Sequence, residues 1–483
     1  MNEVSLLIGG RSVPASSGRW FERIDPVKKS PATRAAAAGA SDIDAAVHTA
    51  AEAAPAWATT GPGKRRELLL HAAEVLLART ADFVRCMIAE TGATEGWAGF
   101  NVAIGAAMLR EAASMTTQIA GEVIPTDVPD NLAMAIRQPL GVCVGIAPWN
   151  APVILGVRAM AMPLACGNTV VFKASEMCPA VHRLIGTALQ EAEIPDGVIN
   201  VLTNDPADAA EVVGALIDHP LVRHINFTGS TKVGRIVAER AGRNLKPVLL
   251  ELGGKAPLIV LEDADIDAAV DATAFGAFLN QGQICMSTER VVVDRKIADE
   301  FVRRLSAKAA TLPLQDPSAG PTVLGSIVDE RAACRVSELV SDAVQKGAKV
   351  SVGGKREGTL MEATVVDHVT PAMRLYGEES FGPVVTIVRV DNDEEALRIA
   401  NDTEFGLSAA VFSRDIARAL EIARRVDSGI CHINGPTVHD EPQMPFGGVK
   451  ASGYGRFGGR AAVDEFTVKR WITVQTGTRH YPF

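Results

Sequence analysis

From about residue 140 onward, short apolar runs alternate with helical stretches, and this alternation limits the possible folds more than any other feature of the chain. A first set comprises "GVCVGIA", "NTVVFKA", "GVINVLT", "HINFTGS" and "KPVLLELGG". A second comprises "PLIVL", "RVVVD", "PVVTIVRV", "SAAVF" and "GICHIN", interleaved with helices such as "DIARALEIARRV". Strands alternating with helices predict a mainly parallel, doubly wound sheet. The two sets meet near residues 250–255, so the fold class expected is α/β with two such halves. The first ~120 residues read as helices. "SDIDAAVHTAAEAAPAWA" has an N-cap candidate in Ser41, and "KRRELLLHAAEVLLART" carries an apolar stripe at helical spacing. At 483 residues the chain is long enough for two or three substructures, and no internal repeat divides it.

Ligands of open parallel sheets sit outside the carboxyl ends of the strands, so the loops after the first set are where chemistry is sought. One stretch, residues 138–157, carries no charge and imitates a membrane span. Its prolines (Pro139, Pro148, Pro152) and glycines instead predict a strand, a turn and a helix start. With no basic segment leading into an apolar run at the N-terminus, the expectation is a cytoplasmic protein with no membrane partner. The net charge of -9, with "GKRRE" at 63–67 the one basic run, argues against nucleic acid.

The stretch "FLNQGQICMSTER" (278–290) sets a cysteine between two apolar residues, just past a glycine and two glutamines. The chain has 7 cysteines, scattered and without close metal-type spacing, so disulfides and structural zinc lack support. Cys285 is left as a small buried hydrophobe or a nucleophile. Asn150 reads as a loop or cap residue, or as a polar donor at a strand end. Glu251 closes an apolar strand, where a carboxylate is costly unless it is functional or paired, with Lys255 as the pairing alternative. In "HINFTGSTKVG", Gly229 and Gly234 would let backbone approach a ligand, and Ser230 with Thr231 would open a helix whose N–H groups suit phosphate. The 9 histidines form no HExxH, and His432 and His439 are too isolated to read as ligands, so no metal is expected.

Taken in order, "APWN" (147–150), "FKASE" (172–176), "FTGS" (227–230), "LELGGKAP" (250–257), "GQICMSTER" (282–290), "EESFGPV" (378–384) and "PFGGVKASG" (445–453) resemble the signatures of the aldehyde dehydrogenase superfamily across essentially the whole chain. The resemblance implies a cofactor domain of 1–121 with 141–252 and a catalytic domain of 253–460. It also implies a small β bridging element of 122–140 with 461–483, through which homodimers or homotetramers form. It makes Cys285 the nucleophile, Asn150 with the Cys285 N–H the oxyanion donors, and Glu251 the base that activates water. For NAD it implies contacts from Lys173 and Glu176 to the adenosine ribose, from Ser230 to the pyrophosphate, and from Glu379 and Phe381 near the nicotinamide. Trp149, Phe227, Gly229, Gly234 and Leu252 complete that set. A carboxylate at Glu176 favours NAD over NADP, whose 2′-phosphate it would repel. The presence of Glu251 counts against a coenzyme-A-acylating relative, and the intact trio Cys285, Asn150 and Glu251 counts against a dead scaffold.

Within that family, "GATEGWAGFNV", "REAASMTTQIAGEVIPTD" and "GYGRFGGRAAVDEFT" resemble the salicylaldehyde and vanillin branch, implying a small aromatic aldehyde as substrate. Residues suited to a flat ring are Trp97, Phe100, Asn101, Ile154, Ile284, Met286 and Phe446. Arg158 shares a face with Asn150 and Ile154 if a helix starts near 150. It is expected either to pair with an acid on a neighbouring helix or to meet a phenolic oxygen or a substrate carboxylate. The last case makes a semialdehyde such as succinic semialdehyde the second candidate.

Overall fold

The computed structural model describes residues 1–483. Its largest sheet has eight strands, in the order Gly453–Tyr454, Val248–Glu251, Val222–Thr228, Val142–Ile146, Thr169–Lys173, Ile199–Leu202, Leu6–Ile8, Arg11–Val13. The five central strands run parallel, and the flanking ones pair antiparallel. The chain starts this sheet's parallel core at Val142–Ile146, winds outward to Ile199–Leu202, and returns to the other side at Val222–Thr228. A crevice therefore opens where the direction of winding reverses, between the ends of Ile146 and Thr228.

A second, seven-stranded sheet follows the order Lys349–Val352, Thr364–Asp367, Val384–Val390, Thr288–Asp294, Ala256–Val260, Ser408–Phe412, Ile430–Ile433. It is parallel except at the Lys349–Val352 edge. Only four residues separate Glu251, the last of one sheet, from Ala256, the first of the other. All ten apolar runs quoted above are strands of these two sheets, and the α/β class is the one observed.

A third sheet joins Glu122–Ile124, Asn131–Pro139 and Thr467–Gln475, with the last two paired over nine residues from Thr467↔Pro139 to Gln475↔Asn131. It leaves Trp471 and Val123 about three-quarters exposed.

Two expectations are corrected. The first 36 residues are not helical: five strands (Asn2–Val4, Leu6–Ile8, Arg11–Val13, Trp20–Ile24, Pro31–Ala36) precede the first helix, Ala40–Thr59. Three of them are three residues long, too short to show a period of two; Asn2–Val4 and Leu6–Ile8 are held by pairing with strands further along the chain, and Arg11–Val13 by its hairpin with Leu6–Ile8. Nor is Ser41 the N-cap. Gly39 holds that position, and the Asp42 carboxylate accepts the Gly39 N–H at 2.9 Å while also accepting from Ser16. The uncharged stretch resolves into the strand Val142–Ile146 and the helix Pro152–Ala165, with Pro152 in the first turn, where its missing N–H costs nothing. No helix is long and apolar enough to cross a membrane.

Candidate active site

A cleft of about 520 Å³ lies between the two large sheets. One wall carries Trp149, Asn150, Gly229, Ser230, Glu251 and Leu252; the other carries Cys285, Glu379 and Phe381. Cys285 reaches it through a turn that local preference alone would not choose. Asn280, Gln281 and Gly282 all have left-handed backbone, with φ of 49°, 56° and 69°. Only Gly282 takes this without strain, and a Cβ there would come within 2.0 Å of the Gly382 carbonyl.

The two glutamines of "NQGQIC" hold that turn. Gln281 donates to the Ser326 carbonyl (2.9 Å), and the Gln283 side-chain oxygen accepts the Val328 N–H (2.9 Å). Cys285 itself is half-buried, and its backbone N–H finds no acceptor in the protein. Burial pushes its thiol well above the usual range, and the negative field of Glu251 adds to the effect.

Glu251 is 1% exposed, and neither of its carboxylate oxygens has a hydrogen-bond partner. Burial raises it to about 7; the facing Cys285 thiol, which makes no bond of ordinary geometry to it, and Arg158 pull the other way. The pairing alternative fails, because Lys255 binds Glu289 instead at 2.8 Å. Glu289 also accepts from Ser380 N and Oγ and from Phe381 N, which fixes the 379–381 turn against the strand Thr288–Asp294. The adjacent glycines are needed for closeness: a Cβ at Gly254 would lie 2.3 Å from the Cys285 carbonyl.

Asn150 precedes the N-cap, Ala151, so it is not the cap of its helix. Its amide donates to the Gln283 carbonyl at 2.9 Å, which ties it to the cysteine turn and leaves its second amide hydrogen without an assigned partner. Its own carbonyl accepts from Trp97 Nε1 (3.0 Å) and Asn280 Nδ2 (2.9 Å).

On the expected cofactor side, Ser230 caps the helix Thr231–Arg243, whose N-terminus opens on the cleft. Phe381, at φ 51°, meets Trp149 edge-on at 5.8 Å. Burial raises the Glu379 carboxyl to about 8 although it accepts the Gly254 N–H at 3.0 Å. Lys173 and Glu176 form an ion pair just beyond the cleft, next to Met177, which lines it. Phe227 is buried beneath Gly229. Gly234 does not bring backbone to a ligand: a Cβ there would strike Leu252 at 2.4 Å, so this glycine serves helix-to-strand packing.

None of the residues expected around a flat ring lines this cleft: Trp97, Ile154, Ile284, Met286 and Phe446 lie within the large apolar core of 61 buried residues, against which Cys285 packs. Asn101 is buried and donates to the Trp97 carbonyl. Phe100 stacks on Trp97 at 5.6 Å but is 46% exposed, on the outer side of its helix. Arg158 is buried and paired, though not with an acid on a neighbouring helix: its partner is Asp440, on the loop after Ile430–Ile433. The guanidinium also lies 4.2 Å above the Phe446 ring, and Arg158, Asp440, Phe446 and Phe457 line one small pocket.

Several cleft residues carried no sequence signal. Met177, Asp329, Arg331 and Arg335 line it, the last donating to the Glu379 carbonyl (2.6 Å) from a helix that looks like any amphipathic surface helix. Away from the cleft, Asp44, His48 and His219 bring ligand atoms within 4.8 Å of one another. His219 Nδ1 accepts the Leu221 N–H, which leaves the proton on Nε2 toward Asp44, the reverse of a metal-bound ring.

Comparison with known proteins agrees with this geometry over the full chain. Residues 13–472 match the profile of the Aldehyde dehydrogenase family. The chain is 62% identical over 482 residues to a vanillin dehydrogenase of Pseudomonas fluorescens, covering 100% of both. The crystal structure of a salicylaldehyde dehydrogenase from Pseudomonas putida G7, complexed with salicylaldehyde, superposes with a TM-score of 0.98 at 49% identity, again with 100% of both chains covered. That of PnpE in complex with nicotinamide adenine dinucleotide gives 0.95 at 38% identity, covering 99% of each. The chain belongs to the aldehyde dehydrogenase family.

Proposed function

We propose that the protein oxidises an aromatic aldehyde of the vanillin, salicylaldehyde or benzaldehyde kind to its carboxylic acid, with NAD as cofactor. The observation that carries this reading is the buried, partnerless Glu251 carboxylate facing Cys285, whose own N–H is free. An unpaired buried carboxylate is costly unless chemistry uses it. The names of the relatives at 62% and 49% identity favour an aromatic ring.

In the proposed mechanism the Cys285 thiol loses its proton to solvent and the sulfur attacks the aldehyde carbon. The new C–S bond makes that carbon tetrahedral, and its oxyanion receives hydrogen bonds from the Cys285 N–H and the free amide hydrogen of Asn150. Two such donors lower the barrier by a few kcal/mol. A nicotinamide held beside Glu379 and Phe381 would supply the hydride acceptor for that tetrahedral carbon. A thioester then remains on Cys285. Glu251 removes a proton from water, which attacks the thioester carbon, and the acid leaves as the thiol re-forms.

The cleft suits a dinucleotide: at about 520 Å³ it has room for one, it receives the Ser230 helix terminus, and Arg331 also lines it. Ser230, Trp149, Gly229 and Leu252 would line the cofactor, Glu379 and Phe381 would adjoin its nicotinamide end, and Lys173 and Glu176 would meet the adenosine ribose. NAD is the reading because a Glu176 carboxylate accepts from ribose hydroxyls and repels a 2′-phosphate. The division into 1–121 with 141–252, 253–460, and 122–140 with 461–483 is retained as a proposal. So is a cytoplasmic homodimer or homotetramer joined through the third sheet, whose exposed Trp471 and Val123 support it.

A carboxylated semialdehyde is disfavoured because Arg158, the cation beside the apolar cluster, is already held by Asp440. A panel of vanillin, salicylaldehyde, benzaldehyde, succinic semialdehyde and betaine aldehyde, followed by reduced-nicotinamide absorbance, tests the assignment. At least one aromatic should lead. Succinic semialdehyde ahead of every aromatic by tenfold in kcat/KM, about 1.4 kcal/mol of transition-state preference, would overturn it.

A further inference from the structure

We infer that Asn204 is a specificity-determining residue that locks Glu176 in place and so keeps the 2′-phosphate of NADP out. This rests on the reading above that Glu176 meets the adenosine ribose. Asn204 follows the strand Ile199–Leu202, the sheet neighbour of Thr169–Lys173, and is fully buried. Its Nδ2 donates to Glu176 Oε1 at 2.9 Å and to the Asp205 carbonyl at 2.8 Å. The same Glu176 oxygen takes the Lys173 ammonium, which is itself 5% exposed. A buried amide and a buried ammonium thus converge on one carboxylate oxygen.

The amide orientation follows from its partners. Turning it over would set its carbonyl oxygen against the carboxylate and the Asp205 carbonyl, two acceptors with nothing to donate. As oriented, Asn204 Oδ1 is buried without any hydrogen bond. The fold tolerates an unsatisfied acceptor here while spending both amide bonds on holding Glu176 and its neighbouring turn, an arrangement that packing alone does not call for.

The consequence concerns two states of Glu176. Held inward, its carboxylate neutralises Lys173 and presents negative charge where a 2′-phosphate of nearly two charges would sit. Swung outward, it would leave Lys173 as a bare cation in that place, which is a phosphate site. The cofactor preference is therefore set by how firmly Glu176 is held, and Asn204 is a holder that does not depend on the lysine.

Fluorescence titration with NADH and NADPH, without aldehyde, measures this apart from turnover. Asn204→Ala should tighten NADPH relative to NADH by tenfold or more, with Tm within about two degrees of the parent because a partnerless buried acceptor is also removed. Glu176→Ala should shift the ratio the same way, and adding Asn204→Ala to it should change nothing further, since the amide acts through the carboxylate. A ratio within twofold of the parent in Asn204→Ala, or an undiminished effect in the Glu176→Ala background, overturns the proposal. A parent protein that binds NADPH more tightly than NADH would instead fail the underlying cofactor reading.

Discussion

At the residue scale, the proposed chemistry turns on Cys285 and Glu251 lining one cleft. Cys285→Ala should bind NADH as the parent does yet form no acid, and turnover above a thousandth of the parent rate would contradict the role given to the thiol. Glu251→Gln should release one equivalent of reduced cofactor in a burst and then stall, because hydride transfer precedes the step that needs the base. Stopped-flow absorbance separates the phases, and an unchanged steady state would move the base elsewhere. Because burial raises Glu251 to about 7, the hydrolytic step in the parent should fall as pH drops below that value, through loss of the carboxylate form. The Gln variant should lack this limb.

That Cys285 and Asn150 meet in one cleft was readable from "GQIC" and "APWN", whose residue types suit one proposed reaction. The Asp440 partner of Arg158 was not. The two residues are 282 positions apart, and no periodicity connects a helix face to a loop that long-range packing brings against it.

At the scale of elements, the apolar strands were legible because each is hydrophobic along its whole length, whereas the strands of the first 36 residues exist only through their partners. The helix Glu330–Gln345 was legible as a helix and illegible as a cleft wall, since a guanidinium that faces a ligand reads the same as one facing water. The strand Thr288–Asp294 carries a further device in the Lys255–Glu289 pair, buried at 0% and 3% of side-chain exposure. Glu289→Ala would strand the ammonium and release the three bonds to Ser380 and Phe381. A loss of about 3–5 kcal/mol is expected for such a pair, together with a higher KM for cofactor, because the Glu379–Phe381 turn is no longer fixed. Denaturant unfolding and cofactor titration check the two effects. Full stability in this variant would mean that the pair is incidental.

At the scale of the whole molecule, three buried carboxyls link stability to pH. Burial raises Glu90 to about 7, Glu251 to about 7 and Glu379 to about 8, against 4.5 for an unhindered glutamate. Between about 4.5 and these values the folded chain holds protons that the unfolded chain has released, so their contribution falls as pH rises through that window. Glu251→Gln, which cannot ionise, should therefore melt above the parent at pH 8.5, with the gap closing toward pH 5. The ceiling is about 3 kcal/mol for a shift of this size. A pH-independent gap in Tm would refute the link.

The short strand Gly453–Tyr454 closes the edge of the first sheet beside Glu251, and Thr467–Gln475 covers Asn131–Pro139. On the ribosome, then, the strands made earlier wait for residues 453–475. Until those residues emerge, two strand edges stay open to pairing with other nascent chains. A nascent chain that has not yet extended past residue 475 should accordingly be the form most vulnerable to aggregation.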